Sequence, residues 1–174
     1  MPHIHSFAPI EGNKAKLLIL GSMPGEASLQ ADEYYAHPRN AFWPIMGDLV
    51  GAGTSLPYEM RIQKLESAGI ALWDVLASCI RHSSMDADIE PDSICTNDFA
   101  SFFLKHPFIT QVFFNGAMAE QFFLRHVQHS LGSRQLNCRR LPSTSPANAS
   151  MRYEQKLGAW KVILDNISGT ELDR

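Results

Sequence analysis

The sequence predicts an α/β fold, a three-layer α/β/α sandwich around a central, mainly parallel four-stranded sheet. Four short segments with strand character, the first three of them mainly apolar, alternate with longer segments of helical periodicity, a pattern typical of parallel strands covered by helices on both faces. A glycine, aspartate, asparagine or proline follows each of these four segments and ends it. The length of 174 residues and the hydrophobic content of 45% suit one domain with its own core. We therefore expect a single domain over residues 1–174, with residues 1–13 as an N-terminal arm.

The predicted strands are short, and the first three are mainly apolar, as expected for strands buried on both faces of a sheet. They span residues 16–20, 70–73, 109–114 and 135–141. The predicted helices carry apolar residues at helical spacing and span residues 41–50, 58–67, 97–105, 117–127 and 151–167. We expect Thr96 or Asn97 to cap the third of these helices. Because open parallel sheets bind ligands at the carboxyl ends of their strands, the loops after the strands form the candidate site.

Composition argues against several classes of protein. No apolar run approaches the roughly 20 residues of a membrane span, and residues 1–12 lack the basic and apolar regions of a signal peptide. Cys79, Cys95 and Cys138 are odd in number and far apart, so they predict neither a disulfide framework nor an iron–sulfur cluster. We expect a cytoplasmic protein that needs no metal and no other cofactor.

The charge of the chain is unevenly distributed, although its net value is only −3. Residues 134–161 carry six basic residues against one acidic residue, and the remainder of the chain is acidic. A basic face on an acidic body can contact nucleic-acid phosphates with salt-sensitive affinity. The alternative is that some of these basic residues are ordinary solvated side chains.

A glycine-rich turn and an aromatic loop follow the first predicted strand. The turn reads GSMPG at residues 21–25, and the loop reads EYYAHPRNAFW at residues 33–43. Side chains such as Tyr35, His37 and Asn40 can stack on a flat ring, hydrogen-bond its edge and contact a phosphate. The alternative is a connecting loop in which Asn40 caps the next helix and the following aromatic residues belong to the core.

These two motifs resemble the first motif of the uracil-DNA glycosylase superfamily, and most closely that of its hypoxanthine-DNA (deoxyinosine) glycosylase branch. Relatives carry a catalytic Asn or Asp before the turn proline, whereas this chain carries Met23. A thioether can neither orient nor deprotonate water. The resemblance to the deoxyinosine branch therefore implies that Asn40 is the catalytic residue and that Tyr35 stacks on a flipped base. It also implies a base pocket that includes Gly21, Ser22, Met23 and His37.

Polar residues also follow the other predicted strands. The resemblance puts Asp74 at the position that reads the base, with a role in catalysis, and gives Asn115 a supporting place in the pocket. The alternative is that Asp74 caps a turn. Residues 83–88 form a polar loop that we expect near the site, without an assigned role.

The loop after the fourth predicted strand, PSTSPANA at residues 142–149, resembles the second motif of the superfamily, which grips the DNA backbone. The basic His or Asn of that motif is not plainly present. Small hydroxyl groups suit a close approach to phosphate, and prolines stiffen a wedge. The expected DNA-binding residues are Arg140, Ser143, Thr144, Ser145, Pro146 and Asn148.

The resemblance implies a monofunctional DNA-repair glycosylase that flips hypoxanthine out of DNA and hydrolyses its glycosidic bond. Its expected partner is double- or single-stranded DNA with deaminated bases, and we expect a monomer. One alternative is a uracil- or mismatch-specific glycosylase of the same fold. Others are a non-catalytic binder of damaged DNA and a nucleotide-binding or phosphohydrolase domain. The last is weakened because neither GxxxxGK[ST] nor GxGxxG is present.

Overall fold

A four-stranded parallel sheet lies at the centre of the protein. The computed structural model describes residues 3–168. The strands in chain order are β1 (His3–His5), β2 (Leu17–Gly21), β3 (Ile70–Asp74), β4 (Leu76–Ile80), β5 (Cys95–Thr96), β6 (Gln111–Asn115) and β7 (Asn137–Leu141). The central sheet has the order β3-β2-β6-β7, and all three of its strand pairs are parallel. The predicted sheet is therefore confirmed, with strand bounds shifted by one or two residues.

Helices cover both faces of this sheet. They are α1 (Glu26–Ala31), α2 (Phe42–Val50), α3 (Tyr58–Ser67), α4 (Phe99–Lys105), α5 (Ala117–His126), α6 (Tyr153–Trp160) and α7 (Val162–Ser168). One hydrophobic core lies between the sheet and helices α4 and α5, and the other lies between the sheet and helices α2, α3, α6 and α7. This confirms the predicted three-layer α/β/α sandwich.

Alternate residues of the buried strands supply the two cores. In β2, Leu18 and Leu20 belong to the core under α4 and α5, whereas Leu17 and Ile19 belong to the opposite core. Successive side chains of a strand point to opposite faces, so a strand that is apolar at every position can serve two cores. All five residues of β2 are buried, which explains why this segment is continuously apolar in the sequence.

The N-terminal segment is not the arm that the sequence predicts. Strand β1 pairs antiparallel with β4, and Ile10 forms a bridge with Leu72 at the edge of the central sheet. Ile10 is buried, and Ile4 packs against the core under α4 and α5. The prediction was wrong because these apolar residues find their partners about 70 positions away. Met1 and Pro2 lie outside the described residues.

Four further features differ from the predictions. Strands β1, β4 and β5 form a small second sheet, and the short helix α1 follows the glycine-rich turn. The predicted C-terminal helix is divided at Lys161 into α6 and α7. Helix α4 is capped by Asp98, whose carboxylate accepts a hydrogen bond from the Ser101 amide at 3.1 Å. Thr96 and Asn97 cannot cap it because Thr96 lies in β5 and the Asn97 side chain donates to the Asp74 carbonyl at 2.7 Å.

Within residues 3–168, no helix is both long enough and apolar enough to cross a membrane.

Candidate active site

The loops at the carboxyl edge of the central sheet enclose a cleft of about 540 Å³. It contains twelve of the fourteen residues that the sequence predicts as site residues: Gly21, Ser22, Met23, Tyr35, His37, Asn40, Asp74, Asn115, Ser143, Thr144, Ser145 and Pro146. The other two, Arg140 and Asn148, do not line it. Parallel strands bring these segments together from positions more than 100 residues apart in the chain.

Gly21 and Asp74 pair in register at the ends of β2 and β3. A Cβ atom on Gly21 would stand 2.5 Å from Asp74 Oδ1 and 2.9 Å from the hydroxyl oxygen of Tyr35. Both distances are too short for any side chain at position 21. The glycine therefore allows a carboxyl and a phenol to approach the same point at the bottom of the cleft.

Asp74 is a buried carboxyl, only 4% exposed, and its Oδ2 atom has no hydrogen-bond partner among the described residues. Burial and, to a lesser extent, the nearby Asp86 together raise the pKa of Asp74 to about 7, against a lowering effect of Arg81. At neutral pH a large fraction of Asp74 is therefore protonated, and this carboxyl can donate a proton or a hydrogen bond. Asp74 ends β3 and its Oδ2 atom accepts no hydrogen bond in residues 3–168, so nothing supports the alternative in which Asp74 caps a turn.

Tyr35 has a strained backbone with φ +55°, a conformation that non-glycine residues rarely adopt. Its ring stacks on Phe42 with centroids 4.2 Å apart. Its hydroxyl is buried without a hydrogen-bond partner among the described residues. Burial and the carboxyl of Asp74 raise the pKa of Tyr35, and the nearby side-chain amide of Asn115 opposes the rise, although its contact with the hydroxyl does not meet the geometry of a hydrogen bond. The phenol therefore keeps its proton and can donate a hydrogen bond.

The side-chain amide of Asn40 makes a local hydrogen bond with the backbone through its oxygen. Its Oδ1 accepts a hydrogen bond from the Phe42 amide at 2.9 Å, at the start of α2. The contact is local, as the sequence alternative expected, but the N-cap residue of α2 is Ala41 and not Asn40. Because a backbone N–H can only donate, the side-chain atom that faces Phe42 must be the oxygen of Asn40. The side-chain nitrogen of Asn40 then has no hydrogen-bond partner in residues 3–168. This nitrogen can only donate.

His37 is also held by a local contact. Its Nδ1 accepts a hydrogen bond from the Arg39 amide at 3.0 Å. The neutral ring must then carry its proton on Nε2, which makes that atom a donor. Tyr35, Asn40 and His37 thus contribute donors to the cleft, and Asp74 adds another when it is protonated.

Asn115 holds the loop after β7 in place. Its Oδ1 accepts from the Thr144 amide and its Nδ2 donates to the Thr144 hydroxyl, both at 2.9 Å. The Thr144 carbonyl in turn accepts from the Ala41 amide at 3.0 Å, which ties this loop to the one that carries Asn40. Asn148 donates to the Ser143 carbonyl at 3.1 Å from outside the cleft. Asn115 and Asn148 therefore shape the loop, and Asn115 also lines the cleft.

Half of the predicted basic face is engaged in internal contacts. Arg134 donates to the carbonyl groups of Phe103, His106 and Ile109. Arg140 lies 3.7 Å from the carboxylate of Glu120. Lys156 is buried and its ammonium lies 3.5 Å from the Ser145 carbonyl. The exposed basic residues of this stretch are Arg139, Arg140, Arg152 and Lys161, of which Arg140 faces Glu120.

A second loop of the cleft carries residues to which the sequence assigned no role. Ser22 donates to Asp86 at 2.7 Å, and buried Arg81 donates to the carbonyl groups of Pro24 at 2.6 Å and of Ser83. Burial raises the pKa of Asp86, while Ser22 and Arg81 oppose the rise. A single arginine between Ile80 and His82 gives no signal in the sequence that it will be buried. No group of three or more His, Cys, Asp or Glu in residues 3–168 is arranged to hold a metal ion.

The chain is similar to known proteins in both sequence and fold. Residues 9–164 match the family model of the Uracil DNA glycosylase superfamily. A Methanosarcina barkeri protein named hypoxanthine DNA glycosylase is 33% identical over 117 residues, which cover 67% of this chain and 73% of that protein. A Methanosarcina acetivorans protein of the same name is 31% identical over 158 residues, which cover 90% of this chain and 95% of that protein. A solution NMR structure of a candidate uracil DNA glycosylase from M. acetivorans has a TM-score of 0.73 at 27% identity, covering 92% of this chain and 98% of that one.

Proposed function

The chain belongs to the uracil DNA glycosylase superfamily, and on that premise we propose that it hydrolyses the bond between hypoxanthine and deoxyribose in DNA. The names of the two related sequences support this choice of base. One observation of the site carries the proposal. The Asp74 carboxyl and the Tyr35 hydroxyl are buried at the bottom of the cleft without hydrogen-bond partners among the described residues, an arrangement that suits a polar ligand.

The reaction breaks the C1′–N9 bond after the nucleotide has left the base stack. The electron pair of that bond passes to hypoxanthine, and positive charge develops on the sugar. Protonated Asp74 gives its proton to the leaving base, and water adds to C1′ and releases a proton to solvent. Asp74 then regains a proton from solvent. A carboxyl whose pKa is about 7 suits this role at neutral pH.

The other donors of the cleft stabilise the negative charge that forms on the leaving base. Asn40 Nδ2, the Tyr35 hydroxyl and His37 Nε2 can each donate to a ring nitrogen or to O6 of hypoxanthine. Because its oxygen accepts from Phe42, Asn40 acts through its nitrogen and is not a general base. Adenine carries an amino donor where hypoxanthine carries O6, so a pocket of donors favours the deaminated base.

DNA binding is proposed for the rim of the cleft. The hydroxyl groups of Ser143 and Ser145 lie on the loop that Asn115 and Lys156 hold in place. Exposed Arg139, Arg152 and Lys161 offer charge to the phosphates. Contacts of this kind give an affinity that falls as salt rises, with a slope set by the number of phosphates neutralised.

Single-turnover cleavage of duplexes with one deoxyinosine tests this proposal, with matched duplexes carrying deoxyuridine or deoxyadenosine and development by hot alkali. We expect cleavage at inosine that requires alkali, because no Schiff-base step is involved. Cleavage mainly at uracil would favour a second candidate function, that of a uracil-DNA glycosylase of the same fold. The solved structure from M. acetivorans supports this candidate because that protein is described as a candidate uracil DNA glycosylase. Binding without cleavage of either base would favour a non-catalytic damage-binding protein.

A further inference from the structure

Ser22 and Asp86 form a hydrogen-bonded pair inside the cleft. The Ser22 hydroxyl donates to Asp86 Oδ2 at 2.7 Å, and both residues line the cleft. Ser22 directly follows Gly21, which pairs with Asp74 at the ends of β2 and β3. The pair therefore lies beside the carboxyl that is proposed to protonate the leaving base, at a place from which a side chain can contact the same base.

Of the two aspartates that line the cleft, Asp86 carries the negative charge and Asp74 holds a proton. Burial raises the pKa of Asp86, but the hydrogen bond from Ser22 and the positive charge of Arg81 oppose the rise. Asp74 is buried, and its Oδ2 atom has no hydrogen-bond partner among the described residues. Two neighbouring carboxyls with such different surroundings divide the roles, so that one keeps a proton and the other is ionised.

The contact with Asp86 determines how the Ser22 hydroxyl can act on a ligand. A hydroxyl has one proton and two lone pairs, and an ionised carboxylate can only accept. The proton of Ser22 is therefore directed at Asp86, and Ser22 Oγ can only accept from a ligand. The backbone carbonyl of Ser22 is already engaged, because it accepts from the Leu76 amide at 3.1 Å. Ser22 thus adds a side-chain acceptor beside the donors of the cleft.

The turn that carries Ser22 is held in place before a base arrives. Buried Arg81 donates to the Pro24 carbonyl at 2.6 Å and to the Ser83 carbonyl, which ties this turn to the loop that carries Asp86. The acceptor and the carboxylate that orients it are therefore fixed relative to each other. Because they are already ordered, a base that binds to them loses little free energy in ordering the site.

We propose that Asp86 fixes Ser22 as a hydrogen-bond acceptor and that Ser22 Oγ accepts from the N1–H group of the extruded hypoxanthine. The inference rests on the proposed function and deepens it, since it names the group of the base that is read. Hypoxanthine carries a hydrogen on N1, whereas adenine has a lone pair there. An adenine in the cleft would set this lone pair against those of Ser22, so the same acceptor that binds the deaminated base rejects the normal one.

Binding of duplexes that resist cleavage tests the proposal without depending on catalysis. Each duplex carries one 2′-fluoroarabino nucleotide, whose fluorine disfavours positive charge on the sugar. Its base is either hypoxanthine or purine, and purine has neither O6 nor a hydrogen on N1. Fluorescence anisotropy gives the ratio of the two dissociation constants, which measures the preference for hypoxanthine.

We expect the unsubstituted protein to prefer hypoxanthine and Ser22→Ala to reduce this preference about tenfold, because the variant loses the acceptor for N1–H but no donor to O6. The matched control is Ser130→Ala. The Ser130 hydroxyl donates to the Val127 carbonyl at 2.7 Å and does not line the cleft, so this variant should keep the full preference.

Asp86→Asn tests the effect of the carboxylate on Ser22. An asparagine amide can donate to Ser22 Oγ, which frees the hydroxyl proton to face the N1 lone pair of purine. The comparison uses an Asp74→Asn background, because burial and Asp86 together raise the pKa of Asp74 and an asparagine does not titrate. The preference for hypoxanthine should fall about fivefold, whereas an aspartate that only holds the loop would affect both complexes alike.

A preference for hypoxanthine that persists in Ser22→Ala, or an equal loss of affinity for the two bases in either variant, would overturn the contact between Ser22 and N1. Cleavage of inosine by the unsubstituted protein would then leave the proposed function intact. If the unsubstituted protein neither cleaves inosine nor prefers hypoxanthine over purine, the proposed function itself is contradicted, and the inference falls with it.

Discussion

Gly21 and Asp74 stand side by side at the ends of two parallel strands, so close that a Cβ on Gly21 would lie 2.5 Å from Asp74 Oδ1. The glycine has a negative φ and no need for conformational freedom. Its function is to leave space. Two buried polar groups, the Asp74 carboxyl and the Tyr35 hydroxyl, occupy positions that any side chain at residue 21 would disturb.

Gly21→Ala should inactivate the protein without unfolding it. The added Cβ must displace the ends of two side chains, and a misplacement of this size at a catalytic group lowers rates about 100-fold. Single-turnover cleavage of duplex inosine measures the loss, and circular dichroism checks the fold. The control is Gly158→Ala in α6, where a Cβ would meet nothing within 4 Å, and full activity in Gly21→Ala would contradict the assigned geometry.

Asn40→Asp should separate the two functions of this side chain. Aspartate keeps an oxygen that accepts from the Phe42 amide but loses the NH₂ donor. We expect near-native stability with a rate about 10² to 10³ lower, the usual effect of losing one donor to a developing charge. Asn40→Ala should lose activity and also about 1 kcal/mol of stability, because the start of α2 loses its acceptor.

The measurements for Asn40 are single-turnover rates and chemical denaturation of both variants. Asn40→Asp with wild-type activity would rule out the donor role and leave only the local backbone contact.

Tyr34→Phe and Tyr35→Phe should change stability in opposite directions. The Tyr34 hydroxyl donates to the Ala8 carbonyl at 2.8 Å, so its removal should cost about 1 kcal/mol. The Tyr35 hydroxyl is buried without a partner in the described chain, so its removal should raise the free energy of unfolding by about 1 kcal/mol. Urea denaturation measures both values. Tyr35→Phe should also cleave inosine more slowly, and a variant that is both less stable and fully active would show that the hydroxyl serves the fold.

The rate should depend on pH through Asp74. If the protonated carboxyl is the active form, the single-turnover rate should fall about tenfold per pH unit above pH 7. Asp74→Asn keeps a hydrogen-bond donor but cannot titrate, so its lower rate should be flat over the same range. Asp86 raises and Arg81 lowers the pKa of this carboxyl, and the carboxyl in turn raises the pKa of the Tyr35 phenol. A slope that persists in Asp74→Asn would assign the titration to another group.

The same carboxyl should affect stability in a defined direction. Its folded pKa, about 7, is above the ordinary aspartate value of 3.8, so the folded state binds more protons than the unfolded state between these two pH values. Stability from this group is therefore lost as pH rises from about 4 to about 7 and is constant above that. The melting temperature of Asp74→Asn, relative to that of the unsubstituted protein, should therefore rise as pH increases across this window. Calorimetry at several pH values measures this difference. A difference that does not change with pH would contradict the raised pKa.

The elements that could be predicted are those whose signal is local. Strands such as β2 are continuous apolar runs, and α2 carries apolar residues at helical spacing. The small sheet could not be predicted, because β1 is three residues long and pairs with a strand more than 70 positions away. Arg134 and Lys156 were misjudged for a related reason. Their internal partners are backbone carbonyl groups, which leave no mark in composition.

By itself the sequence determined the parallel sheet, the edge at which its loops meet and the segments that carry the polar residues, because apolar periodicity and turn residues act over short distances. Only the tertiary structure decided the chemistry of those residues. Asp74 holds its proton because burial and Asp86 disfavour the carboxylate, and Asn40 offers a nitrogen because its oxygen accepts from the backbone. Protonation and hydrogen-bond partners depend on which groups surround an atom in space, and that is settled when the loops pack together.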